Sequence, residues 1–159
     1  MSSSAIHVRL AHAADLATIV ALERATAEAP HWAEVEYAAM VASSASAVRR
    51  CLFIAEREGE LIGFAAGKAV GKGPEASAEL ESVAVGAEAR RSGVGRALCA
   101  AAIDWCRAQG AVEMELEVRA SSAGAIALYT GLGFVEAGRR PGYYAEPKDD
   151  AVLMRLELA

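Results

Sequence analysis

A strand, an arginine-rich turn and a long helix follow one another without interruption in the middle of the chain. Residues 78–81 alternate apolar with polar side chains and residues 83–85 continue as a short apolar run, which predicts a strand over 78–85. Residues 94–109 carry apolar side chains at helical spacing, and Gly110 supplies the usual stop after the last turn. Because the turn between them is short, the helix must pack against the sheet that contains the strand. This unit predicts an α/β fold.

The rest of the chain shows the same two periodicities on either side of this unit. Alternation predicts strands, and apolar residues three and four positions apart predict helices. The predicted elements are, in chain order, a strand at 6–10, a helix after Asp15, a helix over 33–48, a hairpin of 51–58 with 61–70, a strand over 112–118, a short helix capped by Ser121 or Ser122, and strands over 134–140 and 151–158 joined by a loop. Strands that alternate with helices after a central hairpin indicate a mixed sheet covered by helices.

The length of the chain limits its organisation. With 159 residues it is long enough for one compact domain and too short for two of ordinary size, so we predict a single domain over residues 1–159. No apolar stretch approaches the ~18 consecutive residues that a membrane span requires. The first residues lack the basic segment and the apolar core of a secretory signal. We therefore expect a cytoplasmic protein without a membrane partner.

Charge and cysteine content exclude several classes of function. The net charge is -5 at pH 7 and the isoelectric point is about 5.3, so non-specific nucleic-acid binding is not expected. The three cysteines, Cys51, Cys99 and Cys106, form no CxxC pair, which favours reduced and buried thiols. The three histidines show no metal-ligand spacing. We predict no metal and no nucleic-acid partner.

The turn before the long helix has the composition of an anion site. It reads Arg90-Arg91-Ser92-Gly93-Val94-Gly95-Arg96. Glycines let the backbone approach a ligand closely, and the free N–H groups at the start of a helix attract phosphate oxygens. A Walker A loop and a dinucleotide fingerprint are both excluded, because Arg96 and Leu98 occupy positions where those motifs require other residues. An ordinary exposed turn stays an alternative.

Three segments of the second half carry a family resemblance: VAVGAEARRSGVGRALC, LEVRASSAGAIALYTGLGF and RRPGYYAEPKDDAVLM. They resemble the GNAT superfamily of acetyltransferases, and within it the RimI branch of ribosomal-protein-alanine N-acetyltransferases. The resemblance implies a mixed, mostly antiparallel central sheet flanked by helices on both faces, with its fourth and fifth strands splayed apart. It also implies acetyl-CoA as the cosubstrate.

The resemblance assigns acetyl-CoA to the turn and to the strand before it. The family's turn pattern is Gln or Arg, two residues, Gly, one residue, and Gly or Ala, and Arg90, Gly93 and Gly95 meet it. Ser122 stands where the family usually has Asn, and its side chain is shorter, so the contact that this Asn makes to CoA in the family is not implied for this chain. The implied cofactor-binding residues are Val83, Ala84, Val85, Arg90, Arg91, Ser92, Gly93, Val94, Gly95, Arg96 and Ser122.

Two residues are implied as catalytic. Amide formation requires the amine to lose a proton and the departing thiolate to be stabilised. The family assigns the first task to the glutamate of LEVR, here Glu117, and the second to the tyrosine of ALY, here Tyr129. Taken alone, Glu117 also fits a solvated acidic row, and Tyr129 also fits the packing of a helix on the sheet. A phenol is a weaker acid than a thiol, so Tyr129 can act through a hydrogen bond alone.

The acceptor is inferred from partial matches to the RimI branch. Trp32, in Pro30-His31-Trp32, and the pair Tyr143 and Tyr144 are the implied substrate-binding residues, with packing as the alternative. The acceptor that this implies is the N-terminal α-amine of a protein or peptide, such as a ribosomal protein. Basic residues after that amine are expected to help, because the last hairpin contains acidic residues, namely Glu146, Asp149 and Asp150.

Two other functions stay open at this point. One is a GNAT enzyme that acts on a small amine, such as a polyamine, an amino acid or an antibiotic. The other is a CoA-binding regulatory module without turnover, which is disfavoured because Glu117 and Tyr129 are both reactive residue types. The sequence does not distinguish a monomer from a homodimer.

Overall fold

The structure is a computed structural model in which residues 5–26, 32–41 and 47–159 are described. Its strands and helices are, in chain order, β1 (His7–Leu10), α1 (Leu16–Ala25), α2 (Glu34–Val41), β2 (Val48–Arg57), β3 (Glu60–Val70), β4 (Ser77–Val85), α3 (Val94–Ala108), β5 (Glu113–Arg119), α4 (Ala123–Gly131), β6 (Val135–Ala145) and β7 (Lys148–Glu157). Short 3-10 turns lie at Ala13–Asp15, Gly73–Glu75 and Ala87–Ala89.

The described strands form one sheet in the order β1-β2-β3-β4-β5-β7-β6. Neighbouring strands run antiparallel except for β4 and β5, which are parallel. These two strands share three residue pairs, from Ser77 opposite Glu113 to Glu79 opposite Glu115. The predicted mixed, mostly antiparallel sheet is confirmed, and its β4 and β5 strands separate beyond Glu79.

Helices cover both faces of the sheet. On one face α1 and α2 bury Ile19 and Tyr37 against apolar side chains of β2 and β3, such as Phe64. On the other face α3 buries Cys106 in the cluster that contains Leu116 of β5, and α4 packs against the same cluster. Burying apolar side chains is the main favourable term in folding, so these two layers hold the sheet between them. The predicted helical cover on both faces is confirmed.

Gly63 of β3 lies against side chains from the start of α3. A Cβ atom at this position would lie 2.9 Å from the carbonyl oxygen of Ala84, 3.0 Å from Cδ1 of Leu98 and 3.3 Å from Cγ1 of Val94. Leu98 and Val94 are both buried. The start of α3 therefore reaches its position because Gly63 has no side chain.

The last hairpin is longer than predicted. The segment predicted as a loop, PGYYAEPKDD, is mostly strand, because β6 runs to Ala145 and β7 begins at Lys148, so that only Glu146 and Pro147 remain as the turn. The ladder shifts register between Arg140 and Tyr144, and Pro141 lies in this irregular stretch. A proline that falls in a bulge does not remove a ladder hydrogen bond, which is why the strand continues past it.

Two further local predictions need correction. The second helix ends at Val41 and not near Val48, which is the first residue of β2 and pairs with Val70; β-branched valines favour this extended pairing. Residues 42–46 lie outside the described residues. Ser122 stands at the N-cap position of α4, but its side chain makes no capping hydrogen bond.

The cysteines are free and buried, as predicted. Burial raises the pKa of the Cys99 thiol to about 12, and a contact with Cys106 together with burial raises the pKa of Cys51. No helix in the described ranges is both long and apolar enough to cross a membrane. Within the same ranges, no three His, Cys, Asp or Glu side chains come together as a metal site requires.

Replacing Gly63 tests the close approach of α3. We expect Gly63→Ala to lower the free energy of unfolding by about 1–3 kcal/mol, the usual effect of overpacking a tight core. Urea unfolding followed by circular dichroism measures this change. Gly124→Ala on α4 is the matched control, because a Cβ atom there has no neighbour within 4 Å. An unfolding midpoint for Gly63→Ala equal to that of the unmodified chain contradicts the prediction.

Candidate active site

Two cavities meet where β4 and β5 separate. The loop cavity, of about 400 Å³, is lined by the end of β4, by the turn before α3 and by α4. The strand cavity, of about 130 Å³, lies between the diverging strands and is lined by Leu80–Val83, Leu116–Arg119, Ser122, Ala125, Tyr129 and Tyr144. The two cavities share Val83, Ala125 and Tyr129. A ligand in the loop cavity can therefore reach a ligand in the strand cavity beside Tyr129.

The backbone of β4 and β5 explains why a cavity forms here. Each strand keeps a different partner after their three shared pairs: β4 stays with β3, and β5 stays with β7 along its whole length. The ladder between β3 and β4 shifts register where Ala66 faces Ser82 and Gly67 faces Leu80, so Glu81 is left without a partner residue. A bulge of this kind bends its strand locally and redirects a side chain.

The turn before α3 has the backbone of an anion site. Arg91 and Gly93 both adopt left-handed conformations, with φ of 63° and 85°. Gly93 is the N-cap of α3, so the N–H groups of the first helical turn follow directly and have no partner within the helix. A Cβ atom on Gly93 would meet no protein atom within 4 Å. The turn is therefore open on the side where a phosphate group would approach the backbone.

Eight of the eleven residues predicted to bind the cofactor line the loop cavity, and they are Val83, Ala84, Val85, Arg90, Arg91, Gly93, Gly95 and Arg96. The other three lie elsewhere. The Ser92 hydroxyl donates to the carbonyl oxygen of Ala89, and the Val94 side chain is buried in the core. Ser122 lines the strand cavity and not the loop cavity.

Glu117 and Tyr129 line the same cavity from different elements of the fold. Glu117 lies on β5, and its side chain keeps 28% of its accessible surface. Its Oε1 atom lies 3.6 Å from Nη2 of Arg140 on β6. Tyr129 lies on α4, where its ring packs edge-on against Phe134 with 6.0 Å between centroids. The fold thus brings together the two residues that the sequence pattern singled out, one from a strand and one from a helix.

The last hairpin closes the outer side of the strand cavity. Tyr144 lines the cavity, and burial together with the nearby Glu117 raises the pKa of its phenol. The guanidinium group of Arg119 lies 4.1 Å from the centre of the Tyr144 ring and donates to the carbonyl oxygen of Pro147 at 2.9 Å. Tyr143 is 53% exposed and does not line the cavity. Of the predicted tyrosine pair, only Tyr144 reaches the candidate site.

The acidic residues of this hairpin bind within the hairpin and to its neighbours. Asp149 accepts hydrogen bonds from the hydroxyl and the backbone N–H of Ser121, and these bonds lower the pKa of its carboxyl group. Asp150 accepts a bond from the N–H of Gly142 at 2.8 Å. Both carboxylates are engaged in fixing the hairpin. The expected preference for basic residues in the acceptor gains no support from these two side chains.

Trp32 lies outside both cavities but is tied to their rim. Its backbone N–H donates to Oε2 of Glu23 at 2.6 Å, and its ring lies beneath the Arg50 guanidinium group at 5.6 Å. Glu23 is fully buried in α1 and also accepts a bond from the Tyr37 hydroxyl at 2.5 Å. Pro30 and His31, the rest of that predicted motif, lie outside the described residues.

Two acidic residues of this region escaped the sequence analysis. Glu23 follows Leu16, Ile19 and Val20 at the spacing of their helical face, so a carboxylate on an apolar face was the available signal. Glu81 lines the strand cavity and binds Arg50 through both carboxylate oxygens, at 3.1 and 3.0 Å. Its orientation depends on the bulge in β4, which strict alternation does not predict.

Comparison with known proteins identifies the family. Residues 16–134 match the Acetyltransferase (GNAT) family, and this range is most of the chain. The chain therefore belongs to the GNAT acetyltransferase family, as its turn and its LEVR and ALY segments predicted.

Two relatives within the family are a ribosomal-protein-alanine N-acetyltransferase and an N-alpha-acetyltransferase. The ribosomal protein bS18-alanine N-acetyltransferase of Escherichia coli is 44% identical over 84 residues, which are 52% of this chain and 57% of that protein. The N-alpha-acetyltransferase RimI of Mycobacterium tuberculosis is 34% identical over 62% of this chain and 61% of that protein. The aligned part of the chain thus spans less than two thirds of either relative.

The crystal structure of the ribosomal-protein-S18-alanine N-acetyltransferase from Escherichia coli matches with a TM-score of 0.80 and 31% identity, over 98% of this chain and 95% of that one. These likenesses confirm the predicted similarity to the RimI branch.

Alanine at Gly93 tests the turn as the binding site of acetyl-CoA. A Cβ atom would point into open space in the loop cavity, and the backbone would be strained at φ 85°. We expect Gly93→Ala to weaken acetyl-CoA binding about 10-fold or more, because hydrogen bonds to charged groups contribute roughly 1.5–3 kcal/mol each. Isothermal titration calorimetry measures this affinity.

Gly59→Ala is the matched control for that experiment. Gly59 also has a left-handed backbone, with φ of 77°, and open space around a Cβ atom, but it lies in the turn between β2 and β3. Both variants should lose similar stability, and only Gly93→Ala should lose affinity. An equal loss of acetyl-CoA affinity in both variants would assign the effect to backbone strain alone.

Proposed function

We propose that the chain is an acetyl-CoA-dependent N-acetyltransferase that acetylates the N-terminal α-amine of a protein or peptide, by direct attack of the amine on the thioester. The observation that carries this proposal is the meeting of the two cavities at Val83, Ala125 and Tyr129, with Glu117 on the far wall. Membership of the GNAT family and the likeness to ribosomal-protein-alanine N-acetyltransferases support it. The cytoplasmic location stays a prediction.

The residues of the loop cavity fit acetyl-CoA. Gly93 and Gly95 leave the backbone accessible, and the first turn of α3 supplies N–H groups for the pyrophosphate. Arg90, Arg91 and Arg96 line the same cavity and add positive charge. Acetyl-CoA supplies the reactive acetyl thioester. The edge of β4 at 83–85 lines the loop cavity and is not paired with β5, so it offers backbone groups to the pantetheine arm.

Glu117 and Tyr129 divide the proton transfers between them in this proposal. Glu117 accepts the proton that the amine loses as its nitrogen bonds to the carbonyl carbon. Tyr129 donates a hydrogen bond to the sulfur as the carbon–sulfur bond breaks, and Tyr129 is well placed for this task because it lines both cavities. General acid–base catalysis of this kind typically contributes about 10²- to 10⁴-fold in rate.

An α-amine is the acceptor best matched to a carboxylate base. Only the neutral amine attacks, and the reference pKa of an α-amine is about 7.7–8.0 against about 10.4 for a lysine side chain. At pH 7 the neutral fraction of an α-amine is therefore a few hundred times larger. Tyr144 over the strand cavity supplies an aromatic wall for the first residues of a peptide.

Neutralising the proposed base tests its role. Glu117→Gln keeps the shape of the side chain and removes its charge, so we expect kcat at pH 7 to fall about 10²- to 10⁴-fold while the affinity for acetyl-CoA stays nearly unchanged. Free thiol released from acetyl-CoA measures kcat. Glu115→Gln is the matched control, because Glu115 lies two residues earlier on β5 and pairs with Arg155 outside the strand cavity. A Glu117→Gln enzyme with unchanged kcat would place the base elsewhere.

The position of the transferred acetyl group tests the acceptor. We expect a peptide that begins with a free alanine to be acetylated on its α-amine in preference to an internal lysine. Tandem mass spectrometry locates the acetyl group, and the same peptide with a blocked N-terminus is the control. Efficient acetylation of spermidine or a free amino acid, with the peptide left unmodified, would replace the peptide acceptor by a small amine and leave the acetyltransferase proposal standing.

A further inference from the structure

Glu81 and Glu117 occupy equivalent places on the two diverging strands. The last pair of the β4–β5 ladder is Glu79 with Glu115, and each of the two carboxylates lies two residues further along its own strand. Both line the strand cavity, one on each wall. A group bound in this cavity therefore has a carboxylate on both sides.

The Glu81 side chain is largely buried and forms an ion pair with Arg50. Its side chain keeps 11% of its accessible surface, and both of its oxygens accept hydrogen bonds from Arg50. Burying an ion pair is often no more stabilising than an apolar pair of similar size. Stability alone therefore does not account for the charge pair. Each oxygen of Glu81 retains capacity for a further hydrogen bond, since a carboxylate has about four acceptor positions.

Ser82, the next residue of β4, gives an independent indication of a ligand. It is 8% exposed and lines the strand cavity, and its Oγ atom is buried without a hydrogen-bond partner in the described part of the chain. Leaving a buried hydroxyl unpaired costs about 1–3 kcal/mol. Such a group beside a cavity is accounted for when a ligand completes its hydrogen bonding.

We propose that Glu81 and Ser82 form the binding site for the acceptor's amino group: together they hold one of the two N–H bonds of the neutral amine, while Glu117 takes the proton of the other. This inference rests on the proposed function and assigns Glu81 as a residue that determines which acceptors bind. Arg50 is a positioning residue, because it fixes the Glu81 carboxylate from the side away from the amine.

The ion pair with Arg50 allows an amine beside Glu81 to lose its proton. An amine held between two unpaired carboxylates would keep its proton, since negative charge stabilises an ammonium group. Arg50 balances the charge of Glu81, so that Glu81 orients the amine through a hydrogen bond and opposes its deprotonation only weakly. Glu117 is then the group that accepts the proton from the amine. Glu81 accepts two hydrogen bonds from Arg50, at 3.1 and 3.0 Å, whereas Glu117 has one longer contact of 3.6 Å with Arg140, so the two carboxylates can have different tasks.

A comparison of two peptides tests contact with the amino group directly. The probes are a hexapeptide that begins with a free alanine and its N-acetylated form, each titrated calorimetrically into the CoA-saturated protein. We expect Glu81→Gln to weaken binding of the free peptide about 10- to 100-fold, the range for a hydrogen bond to a charged group. Binding of the N-acetylated peptide should change little. Equal weakening of both peptides, or no weakening of either, would overturn the assignment of Glu81.

Kinetics separate binding from chemistry in the same variants. Glu81→Gln should raise KM for the free peptide by about 10-fold or more and lower kcat much less, whereas KM for acetyl-CoA should stay within about twofold. Glu79→Gln is the matched control, since Glu79 lies two residues earlier on β4, pairs with Lys68 and does not line the strand cavity. A proportional rise in both KM values would indicate a structural role and overturn the inference.

Ser82→Ala keeps the proposal testable if Glu81→Gln fails to fold. Removing an unpaired buried hydroxyl should leave Tm unchanged or raise it, and it should still raise KM for the peptide several-fold. A lower Tm with unchanged KM would show that Ser82 has a structural partner instead, and would overturn its role. Normal turnover by the unmodified protein, with unchanged KM in both variants, would overturn this inference alone. Absence of acetyl transfer to any amine by the unmodified, folded protein would overturn the proposed function as well.

Discussion

Backbone hydrogen bonding joins β4 to β5 for three residue pairs, and each strand then follows a different neighbour. β3 holds β4 as far as Val85, and β7 holds β5 as far as Arg119. The facing edges beyond Glu79 are therefore left without each other's N–H and C=O groups, which must bind something else when buried. Both cavities lie along these edges. The separation of the strands thus accounts for both cavities.

Packing between α3 and the sheet fixes the start of α3 beside the loop cavity. Val94 and Leu98 are buried against β3, where Gly63 gives the helix room to approach. Gly93 and the arginine-bearing turn precede them directly, so the N-terminus of the helix can move only if the core moves. A preorganised anion site loses less entropy when its ligand binds than a flexible one. The apolar core on one side of the sheet therefore determines the geometry of the polar site.

Features that depend on local pattern were predictable from the sequence, and those that depend on tertiary contacts were not. The long helix and the acidic strand 113–119 follow from periodicity, and the turn 90–96 follows from glycine and arginine chemistry. The extension of the last hairpin past Pro141 depends on a register shift that no local rule contains. Glu81 is part of the strand cavity only because a bulge in β4 leaves it without a partner residue. Glu23 was missed for a different reason, because its burial depends on partners that are distant in the sequence, namely the Tyr37 hydroxyl and the backbone of Trp32.

A series of polar contacts connects helix α1 to the wall of the strand cavity. Buried Glu23 holds the backbone of Trp32, the Trp32 ring lies under Arg50, and Arg50 holds Glu81 at the cavity wall. Burying such charges is expensive, so their arrangement favours position over stability. Glu117 and the cofactor turn lie outside this series, on β5 and before α3. Thr26, which follows the last residue of α1, also lines the loop cavity, so the α1–α2 layer borders the loop cavity directly and reaches the strand cavity through Arg50 and Glu81.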